Sequence, residues 1–243
     1  MDATPHAWFP GDADLYPMIN MLDDCSRLFV GAKIYAHENL LAYMDFLPAA
    51  FLEYGFPLEI YVDYHSIFFA QNPDNLTELG RALKFYGVSF RYAPTPQAKG
   101  KVERSHQYWQ GRVPALFAAE QVHDVAPGNE IIAALRRHRN EREPHRELNM
   151  PAKTAWDLAR AEGRNALRPA AKDAWWPYVW SMKCKTRVGD DGRIQVGNHR
   201  IRLEVPPRTS VGLCLHPDGS QSVLAHMPDP DRLPAVLFTN RTP

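Results

Sequence analysis

The chain has few cysteines, no long apolar run and no excess of either charge. Its three cysteines, Cys25, Cys184 and Cys214, are far apart and form no C-x-x-C pair, which argues against a disulfide scaffold and a structural zinc site. No stretch reaches the roughly 18 consecutive apolar residues of a membrane span, and residues 1–12 lack the basic-then-apolar profile of a signal peptide. We therefore expect a cytoplasmic protein without a membrane partner, built from one large domain or from one domain plus a small second one.

The neutral total of 28 basic and 28 acidic side chains conceals two unequal parts of the chain. Residues 1–100 carry 12 acidic and 6 basic side chains, and residues 101–243 carry 16 acidic and 22 basic ones, so the balances are −6 and +6. One interpretation is that the acidic part holds metal-binding carboxylates while the basic part binds a polyanion such as nucleic acid. The other is that both parts have ordinary solvated surfaces. Charge alone leaves both interpretations open.

Hydrophobic patterning predicts a mixed α/β arrangement in the first half of the chain. The β-forming runs 15–22 and 28–35 flank a turn rich in Asp and Ser, which predicts a β-hairpin. Apolar residues at helical spacing predict helices over 38–55 and 75–87, and a long helix is expected from KVERSHQYWQGRV. PLEIYVD and VSFRYA have the composition of buried strands. This alternation after a hairpin is typical of a mixed sheet flanked by helices.

The rest of the chain predicts a different architecture. Helical patterns cover 129–142 and 152–161, and the stretch 162–176, which has no strand pattern, indicates a linker. Short alternating segments separated by Gly, Pro and Asp follow, and they predict a small all-β barrel or sandwich. The predicted organisation is a mixed α/β core over 1–125, a helical extension and linker over 126–176, and a small β-barrel over 177–243.

Three acidic residues stand where strands or helices begin or end. Asp2 opens a predicted first strand, Asp63 ends the strand LEIYVD, and Glu103 lies in the first turns of the helix after QAKG. Such positions can converge on one edge of a mixed sheet, where three like charges require a cation. Oxygen ligands without Cys or clustered His favour Mg²⁺ or Mn²⁺ over zinc. Considered one at a time, each acid is more typical of a solvated surface residue.

The segments around these acids resemble the motifs of a known family. Asp63 lies in YVDYHSIF, and Glu103 lies in PQAKGKVERSHQYWQ, 40 positions further on. These segments resemble the second and third acidic motifs, D-x-H-S/G-x-F and Q-A-K-G-x-V/I-E-R, of the DDE-type transposases and integrases of bacterial insertion sequences. Residues 2–9, DATPHAWF, resemble the first acidic motif less specifically, and GRIQVGNHRIRL resembles C-terminal strands of such transposases. The resemblance covers nearly the whole chain and is strongest from Asp2 to Arg104.

The resemblance implies an RNase H-like, retroviral-integrase-like core in which Asp2, Asp63 and Glu103 hold two divalent ions, Mg²⁺ or Mn²⁺. In the general two-metal scheme, one ion activates water or a DNA 3′-hydroxyl, and the other stabilises the leaving 3′-oxygen. The implied activity is DNA strand nicking and strand transfer. The implied partners are transposon ends and target DNA, bound by several copies of the chain.

The same reading gives roles to neighbouring residues. We expect DNA contacts from a set of six: Lys99, Gly100, Lys101, Arg104, His65 and Ser66. The alternatives are solvated charge at a helix start for the basic residues and a turn-shaping role for His65 and Ser66. Asp23 and Asp24 are interpreted as turn residues rather than ligands. The arginines of 136–146 are interpreted as a solvated helix face rather than a phosphate-binding surface, and the tryptophans of 175–180 as packing the domain junction.

The chain departs from the family pattern at its start. Asp2 directly follows Met1, whereas the family has a longer first strand and an upstream helix-turn-helix domain. We therefore expect a frayed first strand and a fragment or truncated product. A second hypothesis is accordingly a non-catalytic DNA-binding remnant. A third is an RNase H-like nuclease acting on RNA–DNA hybrids, which the long extension after Glu103 makes less attractive.

Overall fold

The computed structural model describes residues 1–72, 75–93, 100–228 and 231–240. Its strands are β1 (Asp2–His6), β2 (Tyr16–Leu22), β3 (Phe29–Ile34), β4 (Glu59–Val62), β5 (Ser89–Tyr92), β6 (Pro144–His145), β7 (Met150–Pro151), β8 (Met182–Arg187), β9 (Arg193–Val196), β10 (His199–Arg202), β11 (Ser210–Leu215), β12 (Gln221–Leu224) and β13 (Val236–Asn240). Its helices are α1 (Leu40–Tyr54), α2 (Glu78–Phe85), α3 (Gly100–Gln110), α4 (Val113–Ala119), α5 (Val125–Arg142), α6 (Ala152–Ala161) and α7 (Trp176–Val179).

The first five strands lie side by side. β1 pairs antiparallel with β2, and β2 pairs antiparallel with β3, which confirms the predicted hairpin. β4 and β5 form a parallel pair, connected through α2. The Met1 amino group donates a hydrogen bond to the Tyr61 carbonyl at 2.9 Å, which places β4 beside β1. The three-stranded sheet, in the order β3, β2, β1, therefore lies next to the separate β4–β5 pair, with β1 and β4 as the neighbouring strands.

Helices bury both faces of these strands, which explains the continuous apolar run YPMINML of β2. Successive residues of a strand point to opposite faces. Ile19 accordingly packs in a cluster with α1, α2 and β4, whereas Met18 packs in a second cluster with Trp109 of α3, Phe117 of α4 and Ile132 of α5. The burial of these apolar surfaces is the main stabilising contribution to the core.

Helix α5 covers the free edge of β3 with asparagine side chains. Asn140 accepts a hydrogen bond from the Phe29 amide at 2.9 Å and donates one to the Phe29 carbonyl at 3.0 Å. Asn129 does the same for Ile34, at 2.8 and 2.9 Å. Each side-chain amide replaces the backbone of a missing neighbouring strand. This edge of the sheet is therefore protected from pairing with another chain.

Arg136, between these asparagines, is buried and does not belong to a solvated helix face. Its guanidinium donates to the Phe29 and Val30 carbonyls at 3.2 and 2.9 Å and to the Tyr54 hydroxyl at 2.9 Å. It also pairs with both carboxylate oxygens of Glu53, at 2.9 and 2.7 Å. The solvated interpretation is thus wrong for Arg136, because positions 129, 136 and 140 share the face of α5 that meets β3.

The C-terminal strands form open sheets. β8, β11, β12 and β13 make an antiparallel sheet in the order β13, β12, β11, β8, and β9 and β10 form a separate hairpin. Alternating apolar side chains of this region meet in a small core, made of Val188, Ile194, Val196, Leu203, Val211 and Val223. The predicted closed barrel is not confirmed in the part of the chain that is described, because the hairpin there pairs only with itself.

The segment before these strands packs on the first core. Trp156, Trp176 and Trp180 are buried in the same cluster as α1 and β4, and the Trp180 ring stacks on Tyr86 at 5.8 Å between centroids. This confirms the packing role predicted for Trp176 and Trp180. The domain boundaries at 125/126 and 176/177 remain predictions. Within the described ranges, no helix has the length and apolarity needed to cross a membrane.

Candidate functional site

Asp2 is held by neighbours on both sides. In the ladder of β1 and β2 it lies opposite Asn20, and the preceding residue, Met1, is buried and hydrogen-bonded to Tyr61 beside β4. The sequence predicts a frayed strand here, because a single residue precedes Asp2. That expectation is wrong, since the pairing with β2 and the bond to β4 together fix the backbone at this position.

Asp63 directly follows β4 and shapes the turn after it. Its Oδ1 accepts a hydrogen bond from the His65 amide at 3.0 Å, the pattern of an Asx turn. The amides of Phe68 and Phe69 then both donate to the His65 carbonyl at 2.9 Å, which closes the turn. His65 and Ser66 are exposed at its tip. His65 therefore has the turn-shaping contacts, and the contact of either residue with DNA stays a prediction.

The backbone contact of Met1 with Tyr61 sets Asp2 and Asp63 on neighbouring strands, and a buried tyrosine lies close to both. The Tyr43 hydroxyl donates to Glu38 Oε1 at 2.7 Å, and its ring is fully buried. Burial raises the pKa of Tyr43, and the carboxylates of Glu38, Asp2 and Asp63 each raise it further. Both sheet carboxylates thus act on the same phenol. The structure brings Asp2 and Asp63 to a common edge of the sheet, where β1 begins and β4 ends.

Glu103 approaches this edge on helix α3. The helix packs against β1 and β2, and His106 places its Nε2 3.3 Å from Asp2 Oδ2. Glu103 lies one turn earlier, and residues three apart share one side of a helix. Its side chain is exposed and makes no hydrogen bond or ion pair with the described residues. Glu103 is therefore carried on the side of α3 that faces the start of β1.

Sequence reasoning missed two buried polar side chains beside Asp2. Asn20 donates to the Ser105 hydroxyl, and its own Oδ1 has no hydrogen-bond partner among the described residues. Both ring nitrogens of His106 lack a hydrogen bond within the same part of the chain, because the contact with Asp2 has the distance but not the geometry of one. Buried polar atoms are nearly always hydrogen-bonded. Two exceptions next to one carboxylate mark this edge as a candidate site.

The signals for these two residues were present in the sequence. His106 follows Glu103 by three positions, which puts both on one helix side, and Asn20 is a polar residue inside an apolar strand. Neither signal could be used without the register that sets Asn20 opposite Asp2.

The donors at this edge are of the kind that a hard divalent cation prefers. Asp2, Asp63 and Glu103 offer carboxylate oxygens, and Asn20 offers an unused amide oxygen. In the described parts of the chain, however, no three His, Cys, Asp or Glu side chains lie close enough together to hold a metal ion. The donor types fit such an ion, and the three-carboxylate ligand set remains a prediction.

The predicted DNA-binding residues surround the start of α3, and Lys99 lies outside the described residues. Gly100 opens the helix in open space, since an added Cβ would meet no atom within 4 Å. Lys101 Nζ pairs with Asp24 Oδ1 at 2.7 Å. Arg104 is exposed and forms no ion pair with the described residues. No contact seen here tests DNA binding, which remains a prediction for all of these residues.

Asp23 serves the hairpin turn, as predicted. Its Oδ2 accepts hydrogen bonds from both the amide and the hydroxyl of Ser26 at 2.7 Å, and its amide donates to the Leu28 carbonyl at 2.8 Å. Asp24 is 84% exposed and instead forms ion pairs with the side chains of Arg27 and Lys101 at the surface. Neither residue belongs to the edge where Asp2 lies.

Comparison with known proteins finds that part of this chain is similar in sequence to transposases. The transposase for insertion sequence IS1202 of Streptococcus pneumoniae is 33% identical over 140 residues, which cover 54% of this chain and 30% of that protein. The putative transposase y4bF of Sinorhizobium fredii is 26% identical over 137 residues, with the same coverage. The chain thus spans about a third of the length of the curated relatives it matches. No family model matches it.

A solved structure defines the class of fold. A chain in the cryo-EM structure of the simian T-cell lymphotropic virus intasome with PP2A regulatory subunit B56 gamma superposes with a TM-score of 0.55 at 15% identity, covering 87% of this chain and 69% of that chain. Together with the mixed sheets and their flanking helices, this match shows a mixed α/β core of the RNase H-like fold. The chain is a relative of the transposases of insertion sequences, which confirms the resemblance drawn from its motifs.

Proposed function

We propose that this chain is the catalytic region of a DNA transposase or integrase that nicks DNA and transfers the strand. The observation that carries the proposal is the edge where β1 begins beside the end of β4, at Asp2 and Asp63, and where His106 of the Glu103-bearing helix lies 3.3 Å from Asp2. The relation to insertion-sequence transposases supports the same activity.

In this proposal Asp2, Asp63 and Glu103 hold Mg²⁺ or Mn²⁺. A bound divalent ion would supply Lewis-acid activation of a phosphodiester and of its attacking hydroxyl or water. The chain's own residues set the positions. His106 orients the Asp2 carboxylate from 3.3 Å, and Asn20, through its bond to Ser105, holds α3 on the sheet. Groups that orient ligands in this way commonly matter 10- to 100-fold for metal affinity or activity.

The remaining parts of the proposal concern DNA. Lys99, Lys101 and Arg104 contact phosphates near Gly100, while His65 and Ser66 lie beside the scissile bond. The region 177–243 carries nine Lys and Arg against six acids and provides an accessory DNA-binding surface, in the form of a small barrel. Several copies of the chain act together on the transposon ends and the target.

The experiment is a nicking assay on supercoiled plasmid with Mg²⁺ or Mn²⁺. Asp63→Asn and Glu103→Gln should each reduce nicking by about 100-fold or more. Glu141→Gln removes the same charge from an exposed position on α5 and should change nothing. A second readout is the melting temperature, which Mn²⁺ should raise in the wild-type chain and in Glu141→Gln but not in Asp63→Asn, because ligand binding stabilises only the state that binds.

Other outcomes would identify the competing hypotheses. Salt-sensitive DNA binding without any metal-dependent nicking would overturn the catalytic proposal in favour of the DNA-binding remnant. Cleavage of RNA–DNA hybrids with no strand-transfer product would favour the nuclease.

A further inference from the structure

A cavity of about 160 Å³ lies on the opposite flank of α3 from Glu103. A helix turns by about 100° per residue, so Lys101, Arg104 and Tyr108, spaced by three and four, share a flank that Glu103 and His106 do not. These three line the cavity. The other walls come from the β2–β3 hairpin and from the end of α5 with the loop that follows it.

Cations dominate the lining of this cavity. Arg27 and Arg139 join Lys101 and Arg104 there, and Glu147 is the acid among the lining residues. The Arg27 side chain is 16% exposed, and its Nη1 is buried without a hydrogen-bond partner in the described chain. A buried guanidinium nitrogen with an unused donor requires an acceptor.

Arg139 is partly engaged by Glu143, because its Nη1 donates to the Glu143 carbonyl at 2.8 Å and its Nε lies 3.6 Å from the carboxylate. The charges of Arg27, Lys101 and Arg104 are more available. Arg27 lies 3.4 Å from Glu147 and 3.9 Å from Asp24, and both carboxylates are mostly exposed. Lys101 pairs with the same Asp24. Ion pairs with exposed carboxylates contribute little, since water and salt screen them. Arg104 has no such pair with the described residues.

The pKa of His145, which lies in the wall of the cavity, is affected by these charges. Burial lowers the pKa of His145 most, and the charge of Arg139 lowers it further. Glu147 opposes this by less than Arg139 contributes, and Arg27 and Arg104 each add a smaller lowering of the same pKa. Three guanidinium groups from three separate elements thus act on a single ring. Guanidinium groups match the geometry of phosphate oxygens.

We propose that this cavity is a phosphate-binding pocket that takes one backbone phosphate of the DNA strand passing over α3. Arg27, Arg104 and Arg139 bind the phosphate oxygens. The inference rests on the proposed function, because it takes DNA as the ligand. Its volume is several times the roughly 30 Å³ of a water molecule, which leaves room for a phosphate group.

The experiment measures binding of a fluorescent 30-base-pair duplex to the full chain at several salt concentrations, without divalent metal. Arg104→Gln, an exposed substitution that should not disturb folding, is expected to weaken binding about tenfold and to reduce the slope of log K against log salt by about 1. Arg139→Gln should act in the same direction. Arg137→Gln removes the same charge from an exposed position of α5 outside the cavity and serves as the matched control.

Equal affinities and salt slopes for Arg104→Gln and Arg137→Gln would overturn the pocket. A different result would overturn DNA as the ligand and leave free phosphate in its place. In that result, 10 mM inorganic phosphate raises the melting temperature of the wild-type chain but not of Arg104→Gln, while the two chains bind duplex equally. The proposal is separable from catalysis. A chain that binds duplex through Arg104 but never nicks keeps the pocket and loses the proposed function.

Discussion

Two helices cover polar parts of the same sheet, and they do so differently. Under α5, the edge of β3 has its backbone groups paired by Asn129, Arg136 and Asn140. Under α3, Asn20 and His106 leave buried polar atoms without hydrogen bonds in the described structure. The first arrangement is what stability requires. The second costs stability, and these unpaired atoms beside Asp2 are the reason for placing the candidate site at this edge.

The largest effect is expected from replacing Arg136, the residue at the centre of the contact between α5 and β3. Arg136→Met should lower the free energy of unfolding by about 3 kcal/mol, because the Phe29 and Val30 carbonyls lose their donor and Glu53 loses its partner. Urea denaturation measures it, with Arg137→Met as the exposed control on the same helix. A loss no greater than that of the control would show that the β3 edge does not need α5.

Among the described residues, His216 is a second buried histidine and, unlike His106, it has hydrogen-bond partners. Both ring nitrogens of His216 are hydrogen-bonded, to the Pro177 carbonyl at 3.0 Å and to Ser222 Oγ at 2.9 Å. His216→Leu should therefore lower the free energy of unfolding by about 1–2 kcal/mol at pH 7.5, since the Pro177 carbonyl and the Ser222 hydroxyl both lose the imidazole as a partner.

The pH dependence of stability tests the same histidine. Burial lowers the pKa of His216 below its ordinary value of 6.5, outweighing the bond to Pro177. The unfolded chain therefore binds the proton more readily, and stability should fall as pH drops through 6.5, levelling off below the folded-state value. His145, whose pKa is also lowered, adds a slope of the same sign. The free energy of unfolding is measured against pH for the wild type and for His216→Leu, and the difference between the two curves is the contribution of His216. If the two curves are parallel between pH 5 and 8, His216 is not held neutral in the folded chain.

The smallest stability effect is expected at His106. His106→Leu removes two unpaired ring nitrogens from a buried position, so the free energy of unfolding should change by less than about 0.5 kcal/mol or rise. Metal-dependent nicking should nevertheless fall about 10- to 100-fold, because Asp2 loses the group that orients it. If His106→Leu instead lowers the free energy of unfolding as much as His216→Leu does, His106 is structural and the contrast between the two helices fails.

Local patterns account for much of the fold. The hairpin of β2 and β3, the helices α1, α2 and α6 and the strand leading to Asp63 all follow the predicted segments. The predicted long helix after QAKG is instead divided into α3 and α4, because Gly111 follows α3 and Pro114 suits the first turn of a new helix. Strand pairing in the last region could not be predicted, since alternation reveals strands but not which strands meet.

The sequence by itself determined the segments, the acidic motifs and the relation to transposases, because these depend on residue order and local periodicity. Only the tertiary structure decided that Arg136 is buried, that Asn20 and His106 stand beside Asp2, and that Arg27, Arg104 and Arg139 surround one cavity. Those relations join residues up to more than a hundred positions apart. They depend on which faces of the helices and strands meet, and packing of the whole chain sets that choice.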